Sequence, residues 1–377
     1  MIELSNDQDR EGIPSGTLLG SGGRIDRIDA PDGPGVARLG SDVVDRAAGP
    51  PAAEEPDRSR PYQCDGSRTF GIVAASEREM VRHLEATARF KVLRAVPDLP
   101  PADVDALPGA PLGVGVVLDV ETTGLSVTTA EVLELGMVKF VYDRDGWVVG
   151  VLDRFSGLRQ PWSPIPATVT RLTGIDDAMV AGHEIDGDAV AAFLRGVDLV
   201  VAHNARFDRP FVEARWPVFS RLSWACSCTE VGWADEGFDG AKLGHLLMQA
   251  GFFHTAHRAV DDAQATLHLL ALPLPTSGRS GLASLLDRAQ APISRVWAER
   301  APFEAKDVLR ARGYRWSPGA RGLPRSWYRD LHADVVDVEV AFLERAILGD
   351  GASPRVVPIS ALDRFTDRAG ATRGRSA

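Results

Sequence analysis

An α/β fold is what this chain of 377 residues predicts, on three observations. Short apolar runs of strand length, such as GVGVVLDV and LVVA, alternate over about 114–272 with stretches whose apolar residues recur at helical spacing. The composition is that of a globular protein, 44% hydrophobic and 25% charged, which excludes a fibrous or wholly disordered chain. Pro- and Gly-rich breaks divide it into a larger and a smaller folded region. No apolar run approaches the ~18 residues of a membrane span, and the polar start MIELSNDQDREG is unlike a secretory signal. The three cysteines, Cys64, Cys226 and Cys228, have no CxxC spacing and fit a reducing, cytoplasmic setting better than a disulfide framework or a zinc site.

Taken in order, residues 1–62 are rich in Gly, Pro, Asp and Arg without periodicity and are expected to form a disordered tail, since they cannot offset the entropy of ordering. Residues 63–110 are expected to be a short helical lead-in and linker that packs on the main domain. Ser76 and Glu79 have capping-box spacing, Met80, Val81 and Leu84 begin an apolar stripe, and LPPADVDALPGAPLG reads as the linker. GVGVVLDV, EVLELGMVKFVYD and WVVGVLDRFS supply three strands, the last two joined by a hairpin turn at 143–146. A helix, a strand at 199–202 and three more helices complete a main domain at 111–275. Beyond LPLPTSGRSG, residues 282–348 read as a small basic and aromatic domain. Within 306–329 one lysine and six arginines face a single acid, Asp307, with Tyr314, Trp316, Trp327 and Tyr328 interleaved. Residues 349–377, rich in Gly, Ser, Arg and Pro, are expected to be a flexible tail.

The chemistry concentrates in three motifs. In LDVETTGL an apolar strand ends in Asp119 and Glu121, whose side chains share a face because they are two apart. Two carboxylates aimed at one point repel unless a cation lies between them, and a divalent metal is the natural one. DLVVAHNARFDRPF runs from a strand through Asn204 to Asp208 at the start of a helix, and HRAVDDAQATLHLLAL begins a helix near His257 that carries Asp261 and Asp262. Asp262 shares its helical stripe with Ala259, Thr266, Leu269 and Leu270 and so faces inward; Asp261, with Gln264, Ala265 and His268, is a solvated neighbour. Each motif alone has an ordinary explanation as a capped turn or a core position, and His183, His203, His245, His254, His268 and His332 are read as surface or core.

The order DxE, NAxFD, HxAxxDA resembles the DEDD exonuclease superfamily, in particular its histidine-bearing (DEDDh) branch typified by the proofreading subunit of bacterial DNA polymerase III. The resemblance implies a ribonuclease-H-like mixed sheet with flanking helices and a metal-dependent 3′ to 5′ exonuclease releasing nucleoside 5′-monophosphates, most directly from single-stranded DNA. An RNA-trimming exonuclease and an inactive nucleic-acid-binding adaptor are the alternatives. By the same resemblance Asp119, Glu121, Asp208 and Asp262 would hold two Mg²⁺ or Mn²⁺ ions and His257 would be the general base. Thr122, Thr123 and Leu125 would lie against the terminal nucleotide, with Phe207 stacking and Asn204 orienting the strand end. A net charge of −10 requires that any nucleic-acid surface be a local concentration of cations, for which Arg312, Arg315 and Arg321 are the candidates. QATLHLL superficially resembles a sliding-clamp peptide but falls within the helix of Asp262, so the sequence supports no polymerase or clamp partner.

Overall fold

The computed structural model describes residues 76–103, 113–319, 322–349 and 351–368, so the expectations for 1–62, for Cys64 and for Arg321 lie outside the described residues. The chain enters through α1 (Glu77–Ala86) and β1 (Arg94–Ala95), then forms β2 (Gly113–Thr122), β3 (Val132–Tyr142) and β4 (Val148–Leu158). Three short helices, α2 (Ala167–Thr173), α3 (Asp177–Val180) and α4 (Gly187–Phe193), lead to β5 (Leu199–Ala202) and α5 (Ala205–Arg215). Then come β6 (Ser223–Cys226), α6 (Ser227–Glu230), α7 (Leu243–Ala250), β7 (Phe252–Phe253) and α8 (Ala259–Ala271). Strands β2, β3 and β4 are antiparallel neighbours, and β5 and β6 run parallel to β2, in the order β4-β3-β2-β5-β6. This is the expected ribonuclease-H-like mixed sheet with helices on both faces.

The central strand explains the layering. Val116, Val117 and Leu118 of β2 are all fully buried, as a strand covered on both faces requires. Val116 and Leu118 pack with Phe211 and Val212 of α5 on one side, and Val117 packs with Ala263, Leu267 and Leu270 of α8 on the other. The segment resembling a clamp peptide is therefore part of a buried helix. β6, a fifth strand of only four residues, was not separable by pattern from the helices around it. Among the described residues no helix is long and apolar enough to cross a membrane.

The lead-in behaves differently in its two parts. Val96 and Leu99 pack against the main core and β1 pairs with β7, whereas α1 buries no residue and leaves Met80 half exposed. At the other end, α9 (Gly281–Gln290) contributes Leu282 and Leu285 to the core beneath α8 and not to the smaller region. The second sheet therefore starts later than 282, with β8 (Ile293–Ala298), followed by α10 (Lys306–Ala311), β9 (Arg315–Pro318), β10 (Arg325–His332), α11 (Ala333–Phe342) and β11 (Arg355–Ile359). Its order is β11-β8-β10-β9, and Val296, Leu309, Trp327, Leu331 and Leu343 form its own core.

The expectation of a flexible tail from 349 is corrected by β11 and the residues after it. β11 pairs with β8 along its whole length. Arg209 of α5, fully buried, donates to the carbonyls of Leu362 and Arg364, while the Arg364 side chain meets Glu230 and Arg368 meets Glu213. Arginines that look solvating in a string of Gly, Ser and Pro here meet carbonyls and carboxylates of distant elements, which offsets part of the cost of burying them.

Candidate active site

β2 is longer than its neighbour β5, whose last residue pairs with Leu118. Asp119 and Glu121 thus stand just past the carboxyl end of β5, at the edge where ligands bind in open α/β sheets. In the antiparallel pairing with β3, Asp119 lies opposite Gly136 and Glu121 opposite Glu134, so all four residues share one face. The amino end of α8 comes down on that face at the glycine. A Cβ on Gly136 would lie 2.1 Å from the Val260 nitrogen and 2.2 Å from the Ala259 carbonyl carbon, so no side chain fits. The approach brings in Asp262, and carboxylate oxygens of Asp119, Glu121 and Asp262 fall within 4.8 Å of one another. Asp261, one residue earlier, points to solvent.

Asp208 reaches the cluster from the opposite layer, on the first turn of α5. It is 2% exposed, stands outside the 4.8 Å group, and accepts the backbone N–H of Val120, which β5 is too short to pair, along with its own. The structure therefore brings all four expected acids to one end of β2, three in mutual reach and the fourth behind the strand.

Two residues that sequence reasoning left aside hold this arrangement. Glu134 is completely buried; it accepts the Ala259 N–H at 3.1 Å and the Arg258 guanidinium at 2.9 Å, fixing the first turn of α8 to β3. A lone acid inside the apolar run EVLELGMVKF was the available signal. His254, expected to be ordinary surface or core, places Nε2 2.7 Å from Asp262 Oδ1, while the backbone N–H of His257 donates to Oδ2 at 2.7 Å. His257 has φ +68°, a left-handed conformation that turns the chain into α8. Its imidazole is half-buried and makes no hydrogen bond among the described residues. His203, by contrast, is a tether between Ser227 and the Ala241 carbonyl, and burial pushes its pKa down to about 4.

Crowding of like charge sets the electrostatics. Burial, then the carboxylates of Asp208, Asp262 and Glu121, raise Asp119 well above the usual range. Burial and then Asp262 and Glu134 push Glu121 up to about 8, and burial also raises Asp208 despite its two backbone donors. Burial lowers His257, which favours neutral imidazole. Among the described residues no lysine or arginine is paired with the three clustered carboxylates, since Arg258 is taken up by Glu134. A set made only of carboxylate oxygens, with proton affinities raised by mutual repulsion, fits a hard divalent cation such as Mg²⁺ or Mn²⁺.

The residues expected to touch substrate separate into two groups. The Thr122 hydroxyl donates to the Gly124 carbonyl and the Thr123 hydroxyl accepts the Glu131 N–H, so both shape the β2–β3 turn. Phe207 is partly buried with its ring 5.1 Å from that of Phe211. Leu125, 69% exposed, stands free at the turn beside the acids. Asn204 heads α5 at φ +95° with no side-chain cap. Arg312 is held by Glu339 at 2.7 Å, while Arg315 is exposed.

The RNase T exonuclease family model matches residues 116–270, which contain every one of these acids and His257. The chain is 30% identical to the PolC-type DNA polymerase III of Caldanaerobacter subterraneus over 179 residues, 46% of this chain but 12% of that protein. It is 32% identical to the DNA polymerase III epsilon subunit of Treponema pallidum over 160 residues, 40% of this chain and 72% of the subunit. The chain thus spans about an eighth of the length of the PolC-type relatives and most of the length of the epsilon subunit. Among solved structures it overlays on exonuclease X in complex with 5′-overhanging duplex DNA at a TM-score of 0.36 and 23% identity, over 46% of this chain and 99% of that one. With Asp119, Glu121, Asp208, His257 and Asp262 inside the stretch matched by the family model, and with a 32% identical epsilon subunit covered over 72% of its length, the chain belongs to the DEDDh, DnaQ-like exonuclease family.

Proposed function

We propose that the protein hydrolyses phosphodiester bonds one nucleotide at a time from the 3′ end of single-stranded DNA, releasing nucleoside 5′-monophosphates. The observation that carries this reading is the group of three carboxylates within 4.8 Å, crowded and with no lysine or arginine paired to them among the described residues. Asp119, Glu121 and Asp262, with Asp208 behind them, would hold two Mg²⁺ or Mn²⁺ ions, which when bound neutralise charge developing on the phosphoryl oxygens and the leaving oxygen. His257, neutral at working pH and free of internal partners, takes the proton of the attacking water as its oxygen bonds to phosphorus. His254 and the His257 N–H fix both oxygens of Asp262, so the carboxylate is oriented before substrate arrives. Leu125 offers an exposed apolar surface to the terminal base, on a turn stiffened by Thr122 and Thr123; Phe207 and Asn204 line the approach from α5.

The test is digestion of matched 5′-labelled DNA and RNA oligonucleotides with and without Mg²⁺ or Mn²⁺. A descending ladder with mononucleotide release that needs the ion, is faster on DNA and vanishes in Asp119→Ala supports the proposal. Preference for RNA moves it to RNA trimming. Ion binding without hydrolysis, or near-normal hydrolysis by Asp119→Ala, refutes it.

A further inference from the structure

The carboxy-terminal sheet and the exonuclease sheet enclose a cleft of about 200 Å³ bordered by Asn204, Arg206, Arg315, Tyr328 and Arg329. Its position follows from the topology. Asn204 comes directly after β5 and Cys226, another wall residue, ends β6, so the cleft continues the same carboxyl edge on which β2 presents Asp119 and Glu121. The second wall is one face of the smaller sheet. Register sets Arg315 opposite Tyr328, Tyr328 opposite Trp297 and Asp330 opposite Arg295, all on one side. Trp327, Arg329 and Leu331 alternate to the other side, where Trp327 and Leu331 join the core with Leu309 of α10 and Arg329 meets Glu339 of α11.

Charge distinguishes this wall from the rest of an acidic chain. Arg206 and Arg295 share Asp330, each at 2.6 Å, and Arg312 and Arg329 share Glu339 at 2.7 and 3.3 Å. Asp330 and Asp367 together balance Arg206 and Arg295, whereas the single Glu339 leaves one positive charge over between Arg312 and Arg329. Arg315 adds a second; it is exposed and has no ion pair among the described residues. Arg206, Arg315, Arg329 and Arg364 border the cleft with a single acid, Asp330, in a molecule of net charge −10. The guanidinium of Arg206 also lies 6.0 Å from the Tyr328 ring centre, which keeps it at the mouth of the cleft beside Asn204.

We infer that this cleft carries the sugar–phosphate backbone of single-stranded nucleic acid upstream of the end held at the carboxylates, gripping internucleotide phosphates and not bases. The assignment rests on the exonuclease reading for which end of the strand lies at the acids. Guanidinium suits phosphate because its donors match two phosphate oxygens at once, and Asp330 and Asp367 hold Arg206 in place before the strand arrives. It also narrows the basic cluster read from sequence: Arg315 is the contact, while Arg312 serves to hold Glu339.

The experiment measures fluorescence anisotropy of oligothymidylates of about 4 and about 16 nucleotides, bound to the full chain in EDTA, so that no turnover intervenes. Arg315→Glu is expected to weaken the longer oligonucleotide about tenfold and to reduce the slope of log K against log salt by about one, with the loss concentrated on the longer probe. Arg315→Lys, which keeps the charge, recovers most of the affinity. The inference is overturned if Arg315→Glu binds the longer probe as the parent does, if both probes weaken equally, if lysine rescues no better than glutamate, or if polyglutamate displaces the probe as well as an oligonucleotide does. The two readings fail separately. Length-dependent binding through Arg315 with no mononucleotide released in Mg²⁺ or Mn²⁺ overturns the nuclease and supports the cleft. Ion-dependent hydrolysis with an Arg315→Glu chain that binds normally does the reverse.

Discussion

Around β2, Asp119, Glu121 and Asp262 crowd within 4.8 Å with no lysine or arginine paired to them among the described residues, whereas on the smaller sheet the fully buried Arg295 holds Asp330 at 2.6 Å from one side and Arg206 holds it from the other. Both places remove charge from water, and each would be costly alone. In the second, the opposite charge comes from the protein, and the result is a joint: it ties β8, β10 and α5 together. In the first, the protein supplies only more negative charge, and the result is a raised proton affinity on Asp119, Glu121 and Asp208. Compensated buried charge is structural; uncompensated buried charge waits for a partner from outside.

That contrast can be broken most directly at its two ends. Glu121→Gln should lower hydrolysis by about a thousandfold, or about 4 kcal/mol of transition-state stabilisation, while the thermal midpoint of the metal-free protein stays level or rises, because one of three repelling groups is gone. Single-turnover rates and calorimetry in EDTA read the two effects; a midpoint that drops sharply would mean that the cluster is a joint after all. Asp330→Ala should do the opposite, costing about 3–5 kcal/mol of stability by taking from the buried Arg295 the carboxylate it holds. Urea unfolding measures it, and a loss below about 1 kcal/mol would show that the Thr366 carbonyl and the Tyr328 ring already satisfy the guanidinium.

Glu134 sharpens the comparison because it belongs to both classes, a buried acid with a protein partner that nonetheless serves the site. Removing it in Glu134→Ala frees Arg258 and the first turn of α8, and should lower divalent-ion affinity by about 10–100-fold. Titration calorimetry with Mn²⁺ checks this, and unchanged affinity would show that Gly136 and the histidines position Asp262 unaided. The smallest effect expected is on pH. Glu121 ionises near its ordinary 4.5 when unfolded but at about 8 when folded, so between these values the folded state holds the extra proton. Metal-free stability is therefore full below that window and falls as pH rises through it, by a few degrees of midpoint, while Mg²⁺ or Mn²⁺ flattens the slope. A metal-free midpoint that climbs from pH 5 to pH 8 would contradict the raised affinity.

Much of the acidic site was legible because its information is local. The two-residue spacing of Asp119 and Glu121 on a strand, and the helical stripe that separates Asp262 from Asp261, each decide a direction without reference to the rest of the chain. Glu134, His254 and Arg258 were harder to find: an acid in an apolar run and an arginine before a helix pair only when α8 lands on β3, a contact between residues about 125 apart in the chain, and the loop histidine gains its role from the turn that folds it back onto Asp262. Arg209, Arg364 and Arg368 were hidden for the same reason, since a polar composition is equally that of a loose tail and of a clasp.

What the sequence determined by itself was the alternation of strands and helices in the main domain, the identity of the acids and the histidine, and the faces they occupy, because backbone periodicity dictates side-chain direction residue by residue. What only the tertiary structure decided was which charges find partners: that Arg312 is engaged and Arg315 is not, that the last strand joins the smaller sheet, and that two sheets share a basic cleft beside Asn204. Pairing energies depend on distance and burial, and those are properties of the packed chain.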